Sequence, residues 1–305
     1  MIEPPYSVAP AYSPENDVTL FRGDCTVLLD SLPDESAQLV ITSPPYNIGK
    51  EYESELAMRD YVAWQVGVAE QCVRILEPRG SLCWQVGNHV QHTSGATVIT
   101  PLDTILWERF VNLGLTPRNR IIWAFEHGAN CTLRFSGRHE TVMWFTKTGG
   151  GDYVFNLDAV RVPQKYPGKK AFKGPKAGQY SGNPKGKNPG DFWLIPNVKA
   201  NHVEKTAHPC QFPVELVERF VLSMTEEDSL VVDPFAGAGS TLIAAAKNGR
   251  RSAGADVNEG YCDIAAERIE KLNRGELKMR KMGTPVHTPS GKLTINPWPG
   301  SAARS

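Results

Sequence analysis

The sequence predicts an α/β protein: a doubly wound, seven-stranded, mostly parallel sheet with one inserted segment. Three observations predict it. Seven short apolar runs are bounded by turn residues, as strands buried on both faces are. Helix-patterned segments lie between the runs, and strands alternating with helices argue for a parallel sheet. A glycine-rich turn joins one run to a helix, and an acidic residue closes the run after it. A chain of 305 residues suits one large domain of this kind.

Residues 1–17 are rich in Pro, Ser and Tyr and predict a loose arm. Strands are predicted at 18–23, 37–43, 81–87, 120–125, 141–147, 229–233 and 252–257. In 58–76 the apolar residues Val62, Val66, Ala69, Val73 and Leu76 share a helix face, and Pro78 and Gly80 end the helix. Leu102, Ile105, Leu106, Phe110 and Leu113 repeat the pattern, with Gly114 just past the end. Pro213 opens a helix at its first position and Val214–Met224 continue it. An alanine-rich helix over 240–247 stops at Asn248-Gly249, and 261–272 forms the last helix. The polar, Pro- and Gly-containing stretch 276–305 predicts a flexible terminus.

Lys plus Arg is 33 and Asp plus Glu is 33, so net charge gives no reason to propose a nucleic-acid partner. The zero is a sum of unlike parts, however. Residues 161–190 hold Arg161, Lys165, Lys169, Lys170, Lys173, Lys176, Lys185 and Lys187 and no acidic residue. Five prolines, six glycines, Tyr166, Phe172 and Tyr180 lie among them. Such a segment is not core; it reads as a solvated loop or as an anion-binding insertion. Residues 14–60 carry mostly acid, including Glu15, Asp17, Asp24, Asp30, Asp34, Glu35 and Asp60. No apolar run reaches the roughly 18 residues of a membrane span, so no membrane partner is expected. The opening Met-Ile-Glu-Pro-Pro resembles no signal peptide, and a cytoplasmic location is expected. The six cysteines form no Cys-x-x-Cys, which predicts buried free thiols. His89 and His92 have no third ligand at sensible spacing, so no metal is expected.

The first chemical signal is Asp233-Pro234-Phe235-Ala236-Gly237-Ala238-Gly239, with Ser240 and Thr241 opening a helix. Gly237 and Gly239 allow a tight turn and close approach to a ligand, and the helix start offers unpaired N–H groups. Asp256, at the end of the next strand, is placed to accept from ribose hydroxyls. The third glycine of a dinucleotide fingerprint is missing, because Leu242 follows Thr241. A ligand with a nucleoside but no pyrophosphate fits better, although a plain βα turn has the same local signature.

The second signal is Ser43-Pro44-Pro45-Tyr46, where an apolar strand reaches the carboxyl edge of the sheet. Two prolines donate no hydrogen bond, so carbonyls, one hydroxyl and one aromatic ring are what the turn offers. That set suits a planar group with an exocyclic amine. Ser-Pro-Pro is also an ordinary turn.

Together these residues resemble the β class of S-adenosylmethionine-dependent DNA amino-methyltransferases of restriction-modification type. Ser43-Pro44-Pro45-Tyr46 matches their catalytic motif, 233–239 matches their cofactor motif, and the catalytic motif comes first, as in that class. Lys205-Thr206-Ala207-His208-Pro209-Cys210-Gln211-Phe212-Pro213 resembles the segment that closes over the methionine end of the cofactor. Gly23-Asp24 resembles the site of the acidic residue that holds the adenine amine. The resemblance covers 18–272. It implies a Rossmann-like methyltransferase core with a catalytic half at 18–149, a target-recognition insertion at 150–204 and a cofactor-binding half at 205–275. S-adenosyl-L-methionine is then the cofactor, held by Asp24, Thr206, His208, Asp233, Pro234, Phe235, Gly237, Gly239, Ser240, Thr241 and Asp256. Double-stranded DNA is the implied substrate, contacted by Lys165, Lys169, Lys170, Lys173, Lys176, Lys185 and Lys187. Arg161, Gln164, Gln179, Asn183 and Asn201 have side chains suited to base edges. A restriction endonuclease of the same site is the expected partner, and monomer and homodimer both stay open.

Ser at the first motif position favours the N4 amine of cytosine, since relatives acting on adenine N6 more often carry Asp there. Three other readings stand beside this one. Pro209-Cys210 resembles the nucleophile of C5-cytosine methyltransferases, but it precedes the cofactor motif and has no Glu-Asn-Val partner. A small apolar role for Cys210 is the plainer reading. The fold could serve a nucleic-acid-binding protein without catalysis, or the methylated amine could belong to RNA or to a protein amide.

Overall fold

Continuous apolar strands need cover on both faces, and helices supply it here. In this computed structural model residues 2–47, 56–93, 96–128, 130–148 and 151–286 are described. The chain order is β1 (Val8–Ala9), β2 (Val18–Arg22), α1 (Cys25–Ser31), β3 (Ala37–Thr42), α2 (Met58–Ile75), β4 (Leu76–Val86), β5 (Asn88–Thr93), β6 (Ala96–Pro101), α3 (Leu102–Asn112), β7 (Thr116–Ala124) and β8 (His139–Thr146). A 3₁₀ turn at Leu157–Val160 precedes β9 (Phe192–Leu194), α4 (Val214–Met224), β10 (Leu230–Asp233), α5 (Ser240–Ala246), β11 (Arg251–Asp256) and α6 (Glu259–Asn273).

The main sheet has the order β1-β2-β11-β10-β3-β4-β8-β7-β9. Its pairings are parallel except at β8, which runs against both β4 and β7. Alternate residues of each strand serve opposite faces. Leu39, Ile41, Cys83, Val142 and Trp144 pack with α4, α5 and α6. Val40, Leu82, Trp84, Met143 and Phe145 pack with α1, α2 and α3. All seven predicted strands are present, with ends shifted by a few residues.

The differences have local causes. Residues 2–17, expected to be a loose arm, lie along the sheet edge: β1 pairs with β2, and Tyr6 is buried. Tyr6 N–H donates to Asn273 Oδ1 at 2.7 Å, and Asn273 Nδ2 donates back to Tyr6 O at 3.0 Å. Pro213 caps α4 from just outside the helix, not from its first position, with extended backbone (ψ 135°). Residues 88–101 form a β5–β6 hairpin of their own, which polar residues such as His89 and Gln91 masked in the sequence. Part of the expected flexible terminus is built in: Arg280 N–H donates to buried Glu204 Oε1 at 3.1 Å. The remainder, 287–305, lies outside the described residues, as do Ile48, Gly49 and the acidic residues at 51–55.

Residues 151–160 and 191–198 are also woven in, through buried Val154, Val160, Trp193, Ile195 and Val198. What stands out from the sheet is 161–190, pinned at its base by antiparallel pairing of Val162 with Lys187. Among the described residues no helix is long and apolar enough to cross a membrane.

Phe110 of α3 is fully buried, edge-on to Trp84 at 5.3 Å and tilted against Phe145 at 5.8 Å. Phe110→Ala is expected to lower the unfolding free energy by about 3–5 kcal/mol, read by urea denaturation. A loss of less than about 1 kcal/mol would place this contact outside the core.

Candidate active site

Four neighbouring parallel strands end side by side. β2 leads to Gly23-Asp24, β11 ends at Asp256, β10 at Asp233, and β3 runs into Ser43-Pro44-Pro45-Tyr46. The chain leaves β3 through α2 toward β4, and leaves β10 through α5 toward β11 on the other side. The crevice between β3 and β10 is thus the topological switch point, where doubly wound sheets bind ligands.

Asp233 closes that crevice from below. Its Oδ1 accepts from Thr42 Oγ1 at 2.6 Å and Phe235 N–H at 3.1 Å, and its Oδ2 accepts from Thr241 Oγ1 at 2.6 Å. Burial nevertheless pushes the carboxyl up to about 6. Asp256 accepts from Gly237 N–H at 3.0 Å on Oδ2 and from Asn258 N–H at 2.8 Å on Oδ1. A carboxylate has about four acceptor positions, so two remain for a ligand. Burial raises this carboxyl as well.

The glycines are needed for space as well as for conformation. Gly237 (φ +50°) and Gly239 (φ +72°) are left-handed. A Cβ on Gly237 would lie 2.9 Å from His208 Nε2, and one on Gly239 would lie 2.8 Å from Ala265 Cβ. The turn is also held from behind. Arg268 of α6 donates through Nη1 to Ala238 O at 2.5 Å and to Ser240 Oγ at 3.1 Å, and it faces Glu204 at 3.8 Å. Burial pulls the Arg268 guanidinium down to about 10. Ser240 Oγ donates to Phe212 O at 2.7 Å, tying the turn to the segment before α4.

His208 packs edge-on to Tyr261 at 4.2 Å and accepts from Cys210 N–H on Nδ1 at 3.2 Å. Burial, with Lys205 and Arg268 nearby, lowers it to about 4, so the imidazole is neutral at neutral pH. Thr206 Oγ1 accepts from His208 N–H at 3.2 Å and donates to Gln211 Oε1 at 2.8 Å.

On the β3 side a chain of side chains starts at Ser43. Ser43 Oγ and Tyr46 Oη are 2.9 Å apart, and Tyr46 Oη donates to Gln85 Oε1 at 2.5 Å. Gln85 Nε2 donates to Glu140 Oε2, which also lies 3.4 Å from Tyr46 Oη. Burial raises the Glu140 carboxyl, opposed by its hydrogen bonds and by Lys199. Burial and Glu140 together keep the Tyr46 phenol well above its ordinary value, hence protonated. Pro45 O accepts from Tyr61 Oη at 2.8 Å and Gln65 Nε2 at 3.4 Å, and Gln65 is held by Trp84 Nε1 at 2.9 Å. Among the described residues no donor is paired with Pro44 O. Gly87 lets the Tyr46 ring lie against the backbone, since a Cβ there would sit 3.1 Å from it.

Both motifs face one cavity of about 450 Å³. Ser43, Pro44, Pro45, Tyr46, Asp24, His208, Asp233, Pro234, Phe235, Gly237, Ser240, Thr241 and Asp256 line it. Thr206 and Gly239 do not line it, and Asp24 also caps α1 by accepting from Thr26 N–H at 2.8 Å. The seven predicted lysines line no part of the cavity; they stand exposed on 161–190. Lys185 is paired with Asp158 at 2.5 Å, beside Arg161 at 2.6 Å, and so braces the segment's base. Cys210, expected as a packing residue, is exposed on the cavity wall. Sequence reading missed Gln85, Glu140, Trp64 and Lys199, which also line the cavity. Gln85 left a signal, a lone amide inside the apolar run 82–86; Glu140 left none. Among the described residues no group of three or more His, Cys, Asp and Glu is placed to hold a metal ion.

A cavity at the switch point of a doubly wound sheet, with the Gly237–Gly239 turn and Asp256 on one side and the Ser43-Pro44-Pro45-Tyr46 turn on the other, has the place and form of a ligand site in an α/β protein. Comparison with known proteins makes the class specific. Residues 37–267 match the family model for N6/N4 DNA methylases, and the chain belongs to that family. It is 48% identical over 246 residues to the type II methyltransferase M.BglII of Bacillus subtilis, covering 81% of this chain and 67% of that one. Its fold matches the solved PvuII DNA methyltransferase (cytosine-N4-specific) with a TM-score of 0.66 at 22% identity, covering 90% of this chain and 95% of that one. It also matches a putative DNA modification methylase from Thermus thermophilus, solved complexed with S-adenosyl-L-methionine, with a TM-score of 0.60 at 28% identity over 84% and 96% of the two chains.

The Asp233 carboxyl carries a pH signature. Held near 6 instead of 3.8, it keeps a proton in the folded state that the unfolded chain loses near pH 4. Its contribution to stability therefore falls as pH rises from about 4 to about 7. The shift from 3.8 to about 6 corresponds to about 3 kcal/mol. Against wild type, Asp233→Asn is expected to gain about 2–3 kcal/mol in relative unfolding free energy between pH ~4 and pH ~7.5, measured by urea titration. Parallel pH curves for the two proteins would contradict this origin of the burial cost.

Proposed function

We propose that this protein is a type II DNA methyltransferase that moves a methyl group from S-adenosyl-L-methionine to the N4 amine of a cytosine flipped out of double-stranded DNA. The observation that carries the reading is the meeting of Ser43-Pro44-Pro45-Tyr46 with the 233–239 turn at one cavity. The cavity volume of about 450 Å³ is ordinary for a ligand site, roughly 300–1,000 Å³. The fit to the cofactor rests on the turn's missing Cβ atoms and the acceptor positions left on Asp256. Asp24, which lines the same cavity, would take the adenine end. His208, neutral, adds no charge beside a sulfonium.

A base inside a duplex cannot reach the cavity, so it must flip, at a cost of about a few kcal/mol. Tyr46 stacks on the flipped base. Ser43 Oγ and Pro44 O accept the two amine protons, because Pro45 O is already taken by Tyr61. Holding both protons draws the amine lone pair out of the ring. When bound, S-adenosyl-L-methionine would supply an electrophilic methyl group to that lone pair: the N–C bond would form as the S–C bond breaks, a neutral thioether would leave, and the amine would give up one of its two held protons to solvent. The protein's own contribution is position and fixed polar contacts. The serine at position 43 supports cytosine. The family's span of both amines keeps adenine N6 as the second reading. A restriction endonuclease of the same site is the partner this reading brings with it.

Segment 161–190 is proposed as the duplex-contacting part of a target-recognition region. Lys169, Lys173 and Lys176 are exposed, as are Tyr166, Phe172 and Tyr180. Phosphate contacts from such lysines give salt-dependent affinity and carry no sequence information.

Two outcomes check these proposals. Ser43→Ala and Tyr46→Ala are expected to abolish methyl transfer to DNA while equilibrium binding of S-adenosyl-L-methionine stays within about threefold, under half of 1.4 kcal/mol. Wild-type turnover in either would sink the assignment, and single-molecule sequencing of DNA from an expressing host identifies the base. Separately, a Lys169→Ala/Lys173→Ala/Lys176→Ala variant is expected to flatten the slope of log K against log salt by about 2–3 units. An unchanged slope would move the phosphate contacts elsewhere.

A further inference from the structure

We propose that Glu140 sets the direction of the hydrogen-bond chain behind Ser43 and so makes the Ser43 oxygen an obligate acceptor toward the target amine. The proposal rests on the methyltransferase reading above, and it deepens the reading by adding a positioning residue to the catalytic motif.

The chain runs from Ser43 through Tyr46 and Gln85 to Glu140, with one proton shared at each link; between the two hydroxyls of Ser43 and Tyr46 either could donate it. An ionised carboxylate accepts and cannot donate. Glu140 therefore turns the Gln85 amide so that Nε2 faces it and Oε1 faces Tyr46. Oε1 is acceptor-only, so Tyr46 spends its one proton on Gln85, at 2.5 Å. Tyr46 Oη is left with lone pairs toward Ser43, 2.9 Å away, so the Ser43 proton points to Tyr46. The lone pairs of Ser43 Oγ then face the cavity. Chains of this kind polarise their members in a low-dielectric setting, which strengthens the terminal acceptor.

The consequence is specific to an amine substrate. With the chain reversed, Ser43 would point its proton at the amine lone pair and block the atom that has to react. The direction of four side chains thus decides whether the serine assists the amine or competes with it. Gln85 is fully buried and Tyr46 and Glu140 are half-buried, which limits the access of water to the chain. Burial raises the Glu140 carboxyl, and its hydrogen bonds to Gln85 and Tyr46, with Lys199 on the same wall, favour the charged form. A glutamine at position 140 can present either end of its amide to Gln85, so it fills the space without fixing the direction.

The test is a double-mutant cycle on methyl transfer to DNA carrying the enzyme's own site. Glu140→Gln and Tyr46→Phe each keep the size and, at position 46, the stacking ring. Each is expected to lower kcat by roughly 10- to 100-fold, the scale of one charge-assisted hydrogen bond, with KM for DNA and binding of S-adenosyl-L-methionine unchanged. The double variant is expected to lose no more than either single one, because both break the same chain. A merely structural role for Glu140 would not produce that non-additivity. Losses that multiply, or a Glu140→Gln enzyme with wild-type kcat, overturn the proposal while the methyltransferase reading stands. A wild-type protein that transfers no methyl group to DNA overturns that reading, and this one with it.

Discussion

The buried carboxylate of Asp233 stands where the sheet changes direction, and the two halves of the site depend on it. Through Thr42 it holds the end of β3, which carries the Ser-Pro-Pro-Tyr turn; through Thr241 it holds the start of α5, which the glycine turn enters. No other acidic side chain among the described residues joins β3 to α5 by hydrogen bonds. A switch point leaves a gap between diverging connections, and a gap needs something rigid at its floor. Three donors on one carboxylate meet that need, at the cost of desolvating a charge that burial pushes toward neutrality.

Above that floor the two walls work by opposite means. The cofactor wall is shaped by what is missing, the side chains of Gly237 and Gly239, and is braced from behind by Arg268. The wall that carries Ser43 is shaped by what is withheld, since prolines at 44 and 45 have no N–H to offer. Hydrogen bonds then remove one more alternative: Tyr61 and Gln65 occupy Pro45 O and leave Pro44 O for a ligand. The result is a rim that accepts on its polar side and stacks on its aromatic side, with little freedom to reorganise during reaction.

This division explains what could be read from the chain. The strands were legible because burial on both faces makes them continuous apolar runs, and both motifs were legible because prolines and glycines are local devices. Gln85 and Glu140 were not, because their meaning lies in a pairing across 55 residues of sequence. The hairpin at 88–101 carries no apolar alternation to announce it. The arm at 2–17 reads as polar and loose, yet Tyr6 and Asn273 satisfy each other's amide groups across 267 positions. A polar residue advertises a loop in sequence whether or not a distant partner waits for it in the fold.

The segment 204–213 shows the same principle at the site itself. Glu204 is buried and would be costly alone, but it accepts from Val214 N–H at 2.9 Å and Arg280 N–H at 3.1 Å and faces Arg268 at 3.8 Å. Arg280 also reaches Glu215 on α4. Buried ion pairs add little net stability, because desolvation offsets their attraction, but each partner left alone would be strongly destabilising. Their effect is therefore on placement: His208 lies against Gly237 on a segment that Glu204 anchors at one end and Ser240 at the other. Residues from 276 onward, beyond the last helix, thus help to fix a side chain at the cavity, and the site extends past the motifs that announce it.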